Sequence, residues 1–273
     1  MTLLHVIVIA IVQGITEFLP ISSSGHLVLI PALTCWPDQG LLVDVAAHVG
    51  TLGAVIVYFR SDAAVLIRGA LRAAMLRPDQ GSRLVLLLVI ATVPAIVAGA
   101  AVGAFGSEFF RDVEVIAWTM TIGAFLLYGA DRVGMKVNRI EHMRLGQAVV
   151  IGLVQALALI PGTSRAGITM TAARFFGFER REAARFSMLL SIPVIMGAGV
   201  LAGTKLVAQG ESLISGDALV VALLSFLTAL ASIAVLMRWL RDASFTPLVI
   251  YRLALGAGLL WWVYGAGGVG CAG

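Results

Sequence analysis

Charged residues are scarce in this sequence, and their scarcity argues against an ordinary soluble domain. Only 12% of the 273 residues are Asp, Glu, Lys or Arg, whereas 60% are hydrophobic and the mean hydropathy is +1.00. A soluble chain of this length needs a polar exterior that this composition does not supply. The apolar runs are continuous and do not alternate, which argues against a membrane β-barrel. We therefore predict an all-α polytopic membrane protein.

Cysteine is nearly absent, and the basic residues are not gathered into a binding patch. Cys35 and Cys271 offer neither the spacing of a metal site nor a disulfide framework. A net charge of +4 could indicate nucleic acid in a soluble protein. Here the basic residues lie between apolar runs, where they orient a chain in the membrane. We expect membrane lipid as the surroundings and no nucleic-acid partner.

Six apolar runs approach the roughly 20 residues that a helix needs to cross the hydrocarbon core. They cover residues 42–59, 84–105, 115–130, 186–207, 218–237 and 248–264. Two further stretches, 1–35 and 145–175, are apolar but are broken at 19–26 and at 161–165. Each side of a break is marginal for a full crossing, which favours two re-entrant helical hairpins. The alternative is that Pro, Gly and Ser only bend two ordinary helices.

The positions of the basic residues predict how the hairpins are oriented. Residues 1–59 contain no Lys or Arg, whereas residues 60–83 contain five Arg. If this cluster and the later ones at 132–144, 174–185 and 238–241 are cytoplasmic, the six spans alternate without conflict. The first hairpin then enters from outside and the second from inside, and both termini lie outside.

This arrangement is an inverted repeat within a single membrane domain, residues 1–273. The first repeat, 1–140, would hold a hairpin at 1–40 and three spans, and the second, 141–273, a hairpin at 145–175 and three spans. The sequence echoes itself weakly, with one-residue slips: Val12, Gln13, Pro20, Ser23 and Gly25 correspond to Val154, Gln155, Pro161, Ser164 and Gly167. Inverted repeats with broken helices place binding sites near the midplane.

The first break carries ionisable residues and an anion-binding pattern. Glu17 and His26 flank it, and ionisable residues at membrane depth are functional candidates by default. Ser22, Ser23, Ser24 and Gly25 offer hydroxyls and free backbone N–H groups at a helix start, which suits an anion. A histidine there suits nucleophilic or acid–base work.

Gln13 lies four residues before Glu17, so both share a helix face. Glu17 is therefore a candidate metal ligand or proton carrier, and Gln13 could supply a neutral oxygen to the same metal. The alternative role for Glu17 is an ion pair with Arg165.

The second break supplies a positively charged side chain. Thr163, Ser164 and Arg165 follow a Pro-Gly pair, and the arginine offers a planar fork to phosphate oxygens. Thr169, four residues on, is expected to face the same space. A carboxylate, a histidine and an arginine at two facing breaks suit a phosphate ester or anhydride.

Three further groups of polar residues receive a provisional interpretation. Asp44 and His48 form an i,i+4 pair that could support the site from behind, although an interfacial location explains them as well. Arg252, near an end of the last span, is interpreted as snorkelling. The basic cluster from Arg174 to Arg185 is interpreted as a cytoplasmic loop.

At this point the motifs resemble a known family. The segment from Gln13 to His26 is similar to the first signature of the bacterial undecaprenyl-diphosphate phosphatases, the bacitracin-resistance family, and the segment from Pro161 to Thr169 resembles the second. The segment from Ser244 to Arg252 also looks familial, and the length and span pattern match along nearly the whole chain.

The resemblance implies hydrolysis of undecaprenyl diphosphate, a polyprenyl diphosphate lipid, in the bacterial cytoplasmic membrane. It implies a divalent cation, Mg²⁺ or Ca²⁺, and a site open to the periplasm. It assigns the catalytic residues to Glu17, Ser23, His26 and Arg165 and the metal to Glu17 and Gln13. Many relatives carry Glu at the first of these positions, so Gln13 leaves the metal with one carboxylate. The identity of the nucleophile is left open between Ser23, His26 and a water. The oligomeric state is also left open, with a homodimer as one alternative.

Three rival functions are weighed against this one. A prenyl-phosphate transporter or flippase shares the inverted-repeat architecture. A membrane phosphatase of the phosphatidate-phosphatase type needs a histidine after the Ser-Arg element, and this sequence has none after His142. A purely structural membrane protein would leave Glu17, His26 and Arg165 without a purpose.

Overall fold

The structure is a computed structural model that describes residues 2–34, 36–105, 112–134, 137–210 and 215–265. Cys35 and Cys271 lie outside the described residues. The α-helices of these ranges are, in chain order, α1 Leu3–Thr16, α2 Ser23–Thr34, α3 Leu41–Tyr58, α4 Arg60–Ala74, α5 Gln80–Phe105, α6 Val113–Val133, α7 Leu145–Gln155, α8 Arg165–Phe175, α9 Arg180–Ala208, α10 Gly216–Trp239 and α11 Thr246–Gly265. Short 3₁₀ turns lie at Ile140–His142 and Ala156–Leu159.

Six of the described helices are long and apolar enough to cross a membrane: α3, α5, α6, α9, α10 and α11. They confirm the six predicted spans. The largest difference is at α9, which begins at Arg180 rather than at 186. Its first turns are charged and so fall outside the apolar run, but they are helical.

The two predicted chain breaks separate helices that are too short to span. At 1.5 Å per residue α1 is about 21 Å long, short of the roughly 30 Å hydrocarbon core. The helices α2, α7 and α8 are shorter still, with 12, 11 and 11 residues. α1 packs against α2, and α7 packs against α8. This geometry is compatible with two re-entrant hairpins.

The helix pairing is also compatible with the predicted repeat. α1 and α3 pack against α10, and correspondingly α7 and α9 pack against α5. Ser22 and Ser164 are both non-glycine residues with positive φ, and each accepts a hydrogen bond from the backbone N–H three residues on. Ser22 therefore corresponds to Ser164, which removes the one-residue slip at the serine; the slip between Pro20 and Pro161 stays.

The helix α4 was not predicted from the sequence. It carries exposed Arg60, Arg68 and Arg72, and this charge density hides it from a search for apolar runs. It packs against α5 through Gly69, where a Cβ would lie 2.3 Å from the carbonyl carbon of Gly81.

The cluster interpreted as a cytoplasmic loop is instead partly buried in the helix packing. Arg174 has no exposed surface, and its guanidinium lies 3.3 Å from Asp131 Oδ1. Arg180 donates to both oxygens of Asp131, at 2.7 and 3.0 Å. Charges that leave water need partners, and this one carboxylate ties α8 and α9 to α6.

Candidate active site

The two chain breaks open onto one cavity of about 640 Å³. Its polar lining comes from both breaks and from α3, and includes Glu17, Ser23, Ser24, Asp44, His48, Gln155, Ser164 and Arg165. The rest of the wall is apolar and comes largely from α5 and α9. The cavity therefore joins a polar site to an apolar passage.

Glu17 lies at the centre of the polar contacts. Its side chain is 6% exposed, and its Oε2 accepts hydrogen bonds from Gln13 Nε2 at 2.9 Å and from Ser23 Oγ at 2.7 Å. Its Oε1 accepts from Arg165 NH2 at 3.1 Å. The ion pair with Arg165, which the sequence left as the alternative role of Glu17, is thus present and satisfies the buried carboxylate.

Arg165 spans the gap between the breaks. One terminal nitrogen bonds Glu17, and the other donates to the backbone carbonyl of Ser187 on α9 at 3.2 Å. The side chain is 13% exposed, and it lines the cavity. A guanidinium held at both ends in this way keeps its planar fork in a fixed orientation at the cavity wall.

Both breaks end in a helix start at the cavity. Ser22 caps α2 by accepting from Gly25 N–H at 3.3 Å, and Ser164 caps α8 by accepting from Gly167 N–H at 3.0 Å. Both serines have positive φ, a costly conformation for residues with a side chain. The first N–H groups of a helix and its dipole favour an anion, so the cavity receives two such ends.

His26 is not among the residues that line the cavity. Its Nδ1 lies 2.6 Å from the carbonyl oxygen of Ser22, and its Nε2 lies 2.6 Å from the hydroxyl of Tyr251 on α11. A carbonyl only accepts, so Nδ1 carries the hydrogen, and in the neutral ring Nε2 accepts from the Tyr251 hydroxyl. Ser23 donates to Glu17 and not to His26, so the predicted Ser23–His26 pair is absent from the described hydrogen bonds.

Some of the remaining predicted phosphate-binding residues line the cavity, and others support its wall from behind. Ser24 and Ser164 line the cavity, whereas Ser22 and Gly25 form the cap behind it. Thr169 is fully buried and its hydroxyl lies 2.7 Å from Ser187 Oγ. It does not face the cavity as predicted, because its hydroxyl also bonds the carbonyl of Arg165 within α8.

Asp44 and His48 both line the cavity, whereas the sequence left them between support from behind the site and an interfacial location. His48 Nε2 lies 3.8 Å from Glu17 Oε2, and the His48 side chain is 39% exposed. Its Nδ1 lies 2.8 Å from the backbone carbonyl of Asp44, which fixes the hydrogen on Nδ1. Asp44 Oδ1 accepts from Gln39.

The snorkelling interpretation of Arg252 is wrong. The side chain has no exposed surface and donates to backbone carbonyls at both breaks and on α6. Sequence analysis missed this role, although an arginine inside an apolar span was a sufficient signal. Tyr251 and Ser187 were also missed. Tyr251 lies in the segment from Ser244 to Arg252 that looks familial, whereas nothing in the sequence distinguishes Ser187 from other residues of its span.

The donor set near Glu17 suits a hard divalent cation only in part. Among the described residues, no three His, Cys, Asp or Glu side chains converge as a complete metal site. Gln13 Oε1 is buried without a hydrogen-bond partner beside Glu17, and such an oxygen is an acceptable ligand for Mg²⁺ or Ca²⁺. Mg²⁺ often takes only one or two protein carboxylates and completes its shell with phosphate oxygens and water. The residues fit a cation of this kind.

Fold and cavity together define a class: a polytopic helical membrane protein in which two chain breaks line one cavity inside the helix packing. Comparison with known proteins narrows the class. Residues 6–258 match the family described as "Bacitracin resistance protein BacA". The chain belongs to this family.

Curated relatives match over almost the whole chain. The protein named undecaprenyl-diphosphatase from Ruegeria pomeroyi is 49% identical over 97% of this chain and 100% of its own length. Undecaprenyl-diphosphatase 1 from Rhodospirillum rubrum is 48% identical, with 97% and 96% covered. The undecaprenyl-diphosphatase from Alteromonas mediterranea is 45% identical, with 97% and 100% covered.

Proposed function

We propose that the protein hydrolyses undecaprenyl diphosphate to undecaprenyl phosphate and inorganic phosphate. The observation that carries this is the Glu17–Ser23–Arg165 cluster, which joins the two breaks at a cavity whose other wall is apolar. The names of the relatives support the same substrate. The reaction would recycle the lipid carrier for cell-wall synthesis, and the family name implies bacitracin resistance.

Charge balance at the site supports a divalent cation as part of the proposal. In the structure Glu17 and Arg165 neutralise each other, so the site has little net positive charge to offer a diphosphate. A divalent cation supplies that charge and polarises the phosphoryl oxygens when it is bound. Glu17 and the free Oε1 of Gln13 would hold it.

The residues of the two breaks would have different roles in the reaction. Arg165 would turn part of its fork from Glu17 to the terminal phosphoryl oxygens, assisted by the N–H groups at the starts of α2 and α8. Ser23 Oγ would attack the terminal phosphorus while its proton passes to Glu17, 2.7 Å away. The phosphorus–oxygen bond to undecaprenyl phosphate breaks, and water then releases phosphate from Ser23.

His26 would support this geometry rather than perform the attack. Its ring bonds the carbonyl of Ser22, the residue that caps α2 and precedes Ser23. The sequence left three nucleophiles open, and the contact of Ser23 with Glu17 favours the serine.

The apolar wall offers a path for the prenyl chain. Ile96 on α5 and Leu201 on α9 both line the cavity, and each residue is 53% exposed. The wall therefore continues from the site to the lipid-facing surface, where most of a long prenyl chain would lie. Small residues widen this passage, notably Gly99, Gly197 and Gly199.

Filling the passage is expected to discriminate against long substrates. A Cβ at Gly199 meets no atom within 4 Å, so Gly199→Leu should fold and occupy the passage. We expect it to raise KM for undecaprenyl diphosphate by about tenfold, an overpacking cost of order 1–3 kcal/mol, and to affect a short prenyl diphosphate less. Gly129→Leu on α6 is the control, because its Cβ is equally unhindered and lies outside the cavity. Equal KM values for Gly199→Leu and wild type would exclude this path.

The decisive experiment for the proposed function is phosphate release by purified protein. In detergent, undecaprenyl diphosphate should yield one equivalent of phosphate, and a chelator should abolish the reaction until Mg²⁺ or Ca²⁺ is restored. A pure lipid transporter releases no phosphate under these conditions, so absence of release would favour the flippase. Unchanged activity in chelator would exclude the cation.

Membrane orientation is part of the proposal. The lack of Lys and Arg in residues 1–59 supports a site that faces the periplasm of a bacterial inner membrane, with both termini outside. Labelling of a cysteine introduced at Asp38, in the turn between α2 and α3, by an impermeant reagent in intact cells tests this, with Cys35 and Cys271 replaced by serine. Protection of that cysteine until the cells are opened would reverse the orientation.

A further inference from the structure

Arg252 is a buried cation whose described hydrogen bonds all go to backbone carbonyls. It lies on α11 with no exposed surface, and the ion pairs of the described residues do not include it. An arginine in an apolar span without a carboxylate partner is costly and calls for a function. Arg252 has no role in the proposed reaction steps.

The acceptors of Arg252 come from three separate parts of the chain. NH1 donates to Pro20 O in the first break at 3.1 Å. NH2 donates to Gly162 O and Thr163 O in the second break, both at 3.1 Å. Nε donates to Met120 O on α6 at 3.2 Å. One planar fork therefore holds both breaks and fixes them to α6.

The packing around Arg252 is built for this contact. A Cβ at Gly123 on α6 would lie 2.3 Å from NH2, and a Cβ at Gly167 on α8 would lie 2.8 Å from NH1. The breaks also touch each other, since a Cβ at Gly25 would lie 3.4 Å from Gly162 Cα. The guanidinium needs glycine on two of its neighbours to reach all its acceptors.

We propose that Arg252 is a positioning residue that clamps the two breaks together and so sets the spacing of Ser23 and Arg165. Pro20 lies three residues before Ser23, and Thr163 lies two residues before Arg165. Movement of either carbonyl would therefore shift a reacting group directly. This inference rests on the proposed function, because it concerns the same site.

Two substitutions separate the clamp from the charge. Arg252→Met removes both, and Arg252→Lys keeps the charge but loses the fork. We expect each to lower kcat by about 10- to 100-fold, the cost of misplacing reacting groups by about 1 Å, with KM changed less than about threefold. If Arg252→Lys keeps at least half of the wild-type kcat, the charge of residue 252 is sufficient and the clamp is contradicted.

Hydrogen exchange gives a readout that does not depend on activity. The amides of Gly25 and Gly167, which donate to Ser22 and Ser164, should exchange at least about tenfold faster in Arg252→Met, because both breaks open locally. Amides of α3 and α10 should stay protected. Faster exchange at only one break, or equally in all helices, would contradict the clamp. If the wild type releases no phosphate, the proposed function fails while this measurement still tests the clamp.

Arg174→Met is the matched control. Arg174 is equally buried and donates to the carbonyls of Phe178, Asp131 and Gly134, but it lies at the far end of α8 from the break. Asp131 keeps Arg180 as a partner in that variant. We expect lower thermal stability with kcat within about threefold of wild type, as for losses away from the reacting groups. A loss of kcat equal to that of Arg252→Met would show a general packing effect and overturn the proposal.

A second variant keeps the test valid if Arg252→Met does not fold. Gly123→Ala leaves the arginine in place but puts a methyl group where its NH2 lies. Like Arg252→Met, it should lower kcat and speed amide exchange at both breaks, but each effect should be smaller than in Arg252→Met. Wild-type kcat and exchange in Gly123→Ala would contradict the clamp.

Discussion

Arg165→Ala should lower kcat/KM for undecaprenyl diphosphate by about 10²- to 10³-fold, the usual cost of losing a charged transition-state contact. The substitution removes the guanidinium at the cavity wall that bonds Glu17 and the carbonyl of Ser187. Arg165→Lys should lose at least about tenfold, since a single ammonium does not reproduce the fork. Phosphate release by purified variants, compared at saturating and low substrate, measures both effects.

A surface arginine provides the control for this prediction. Arg83 also bonds two carbonyls, those of Glu141 and Met143, but it is exposed and does not line the cavity. Arg83→Ala should keep at least half of the wild-type activity. Wild-type kinetics in Arg165→Ala would remove the proposed phosphate contact altogether.

Ser23→Ala should lower kcat by about 10³-fold or more, because it removes the proposed nucleophile. Ser24→Ala is the neighbouring control, since Ser24 lines the same cavity without a bond to Glu17. It should lose less than about tenfold, as expected for a single neutral hydrogen bond. Formation of undecaprenyl phosphate in a quenched single turnover measures the attack by Ser23 apart from the later hydrolysis that releases phosphate.

Trapping the intermediate distinguishes the nucleophiles that the sequence left open. In wild-type protein quenched during turnover, label from the terminal phosphate should be found on Ser23. Label on His26 would assign the attack to the imidazole, and full activity of Ser23→Ala without any labelled protein would assign it to water. His26→Ala should lower kcat through loss of the bond to Ser22, with the label still on Ser23.

Glu17 shows how far sequence reasoning reached at the site. Its position one helical turn after Gln13, in an apolar segment, was enough to single it out, because a carboxylate at membrane depth is costly without a purpose. The choice between an ion pair with Arg165 and a metal role could not be made from spacing. The structure contains the ion pair and also leaves Gln13 Oε1 unpaired beside it, so both roles are accommodated.

His26 and Arg252 show where sequence reasoning failed. Both were interpreted from their distance along the chain to a break or to a span end. The side of α2 on which His26 lies depends on the turn at Ser22, whose positive φ a sequence pattern does not reveal. Arg252 was assigned to the membrane surface because its carbonyl acceptors come from segments about 90 to 230 residues away, which hydropathy does not record.

The sequence by itself determined that the chain lies in the membrane, where its six spans run, where it breaks twice, and which family its signatures resemble. These follow from local properties: apolar run length, the cost of charges in lipid, and motifs a few residues long. Only the tertiary structure decided which side chains meet: Ser23 with Glu17, His26 with Tyr251, and Arg252 with both breaks. Those contacts depend on how helices distant in sequence pack, and a local sequence pattern does not indicate which distant residues will be its neighbours.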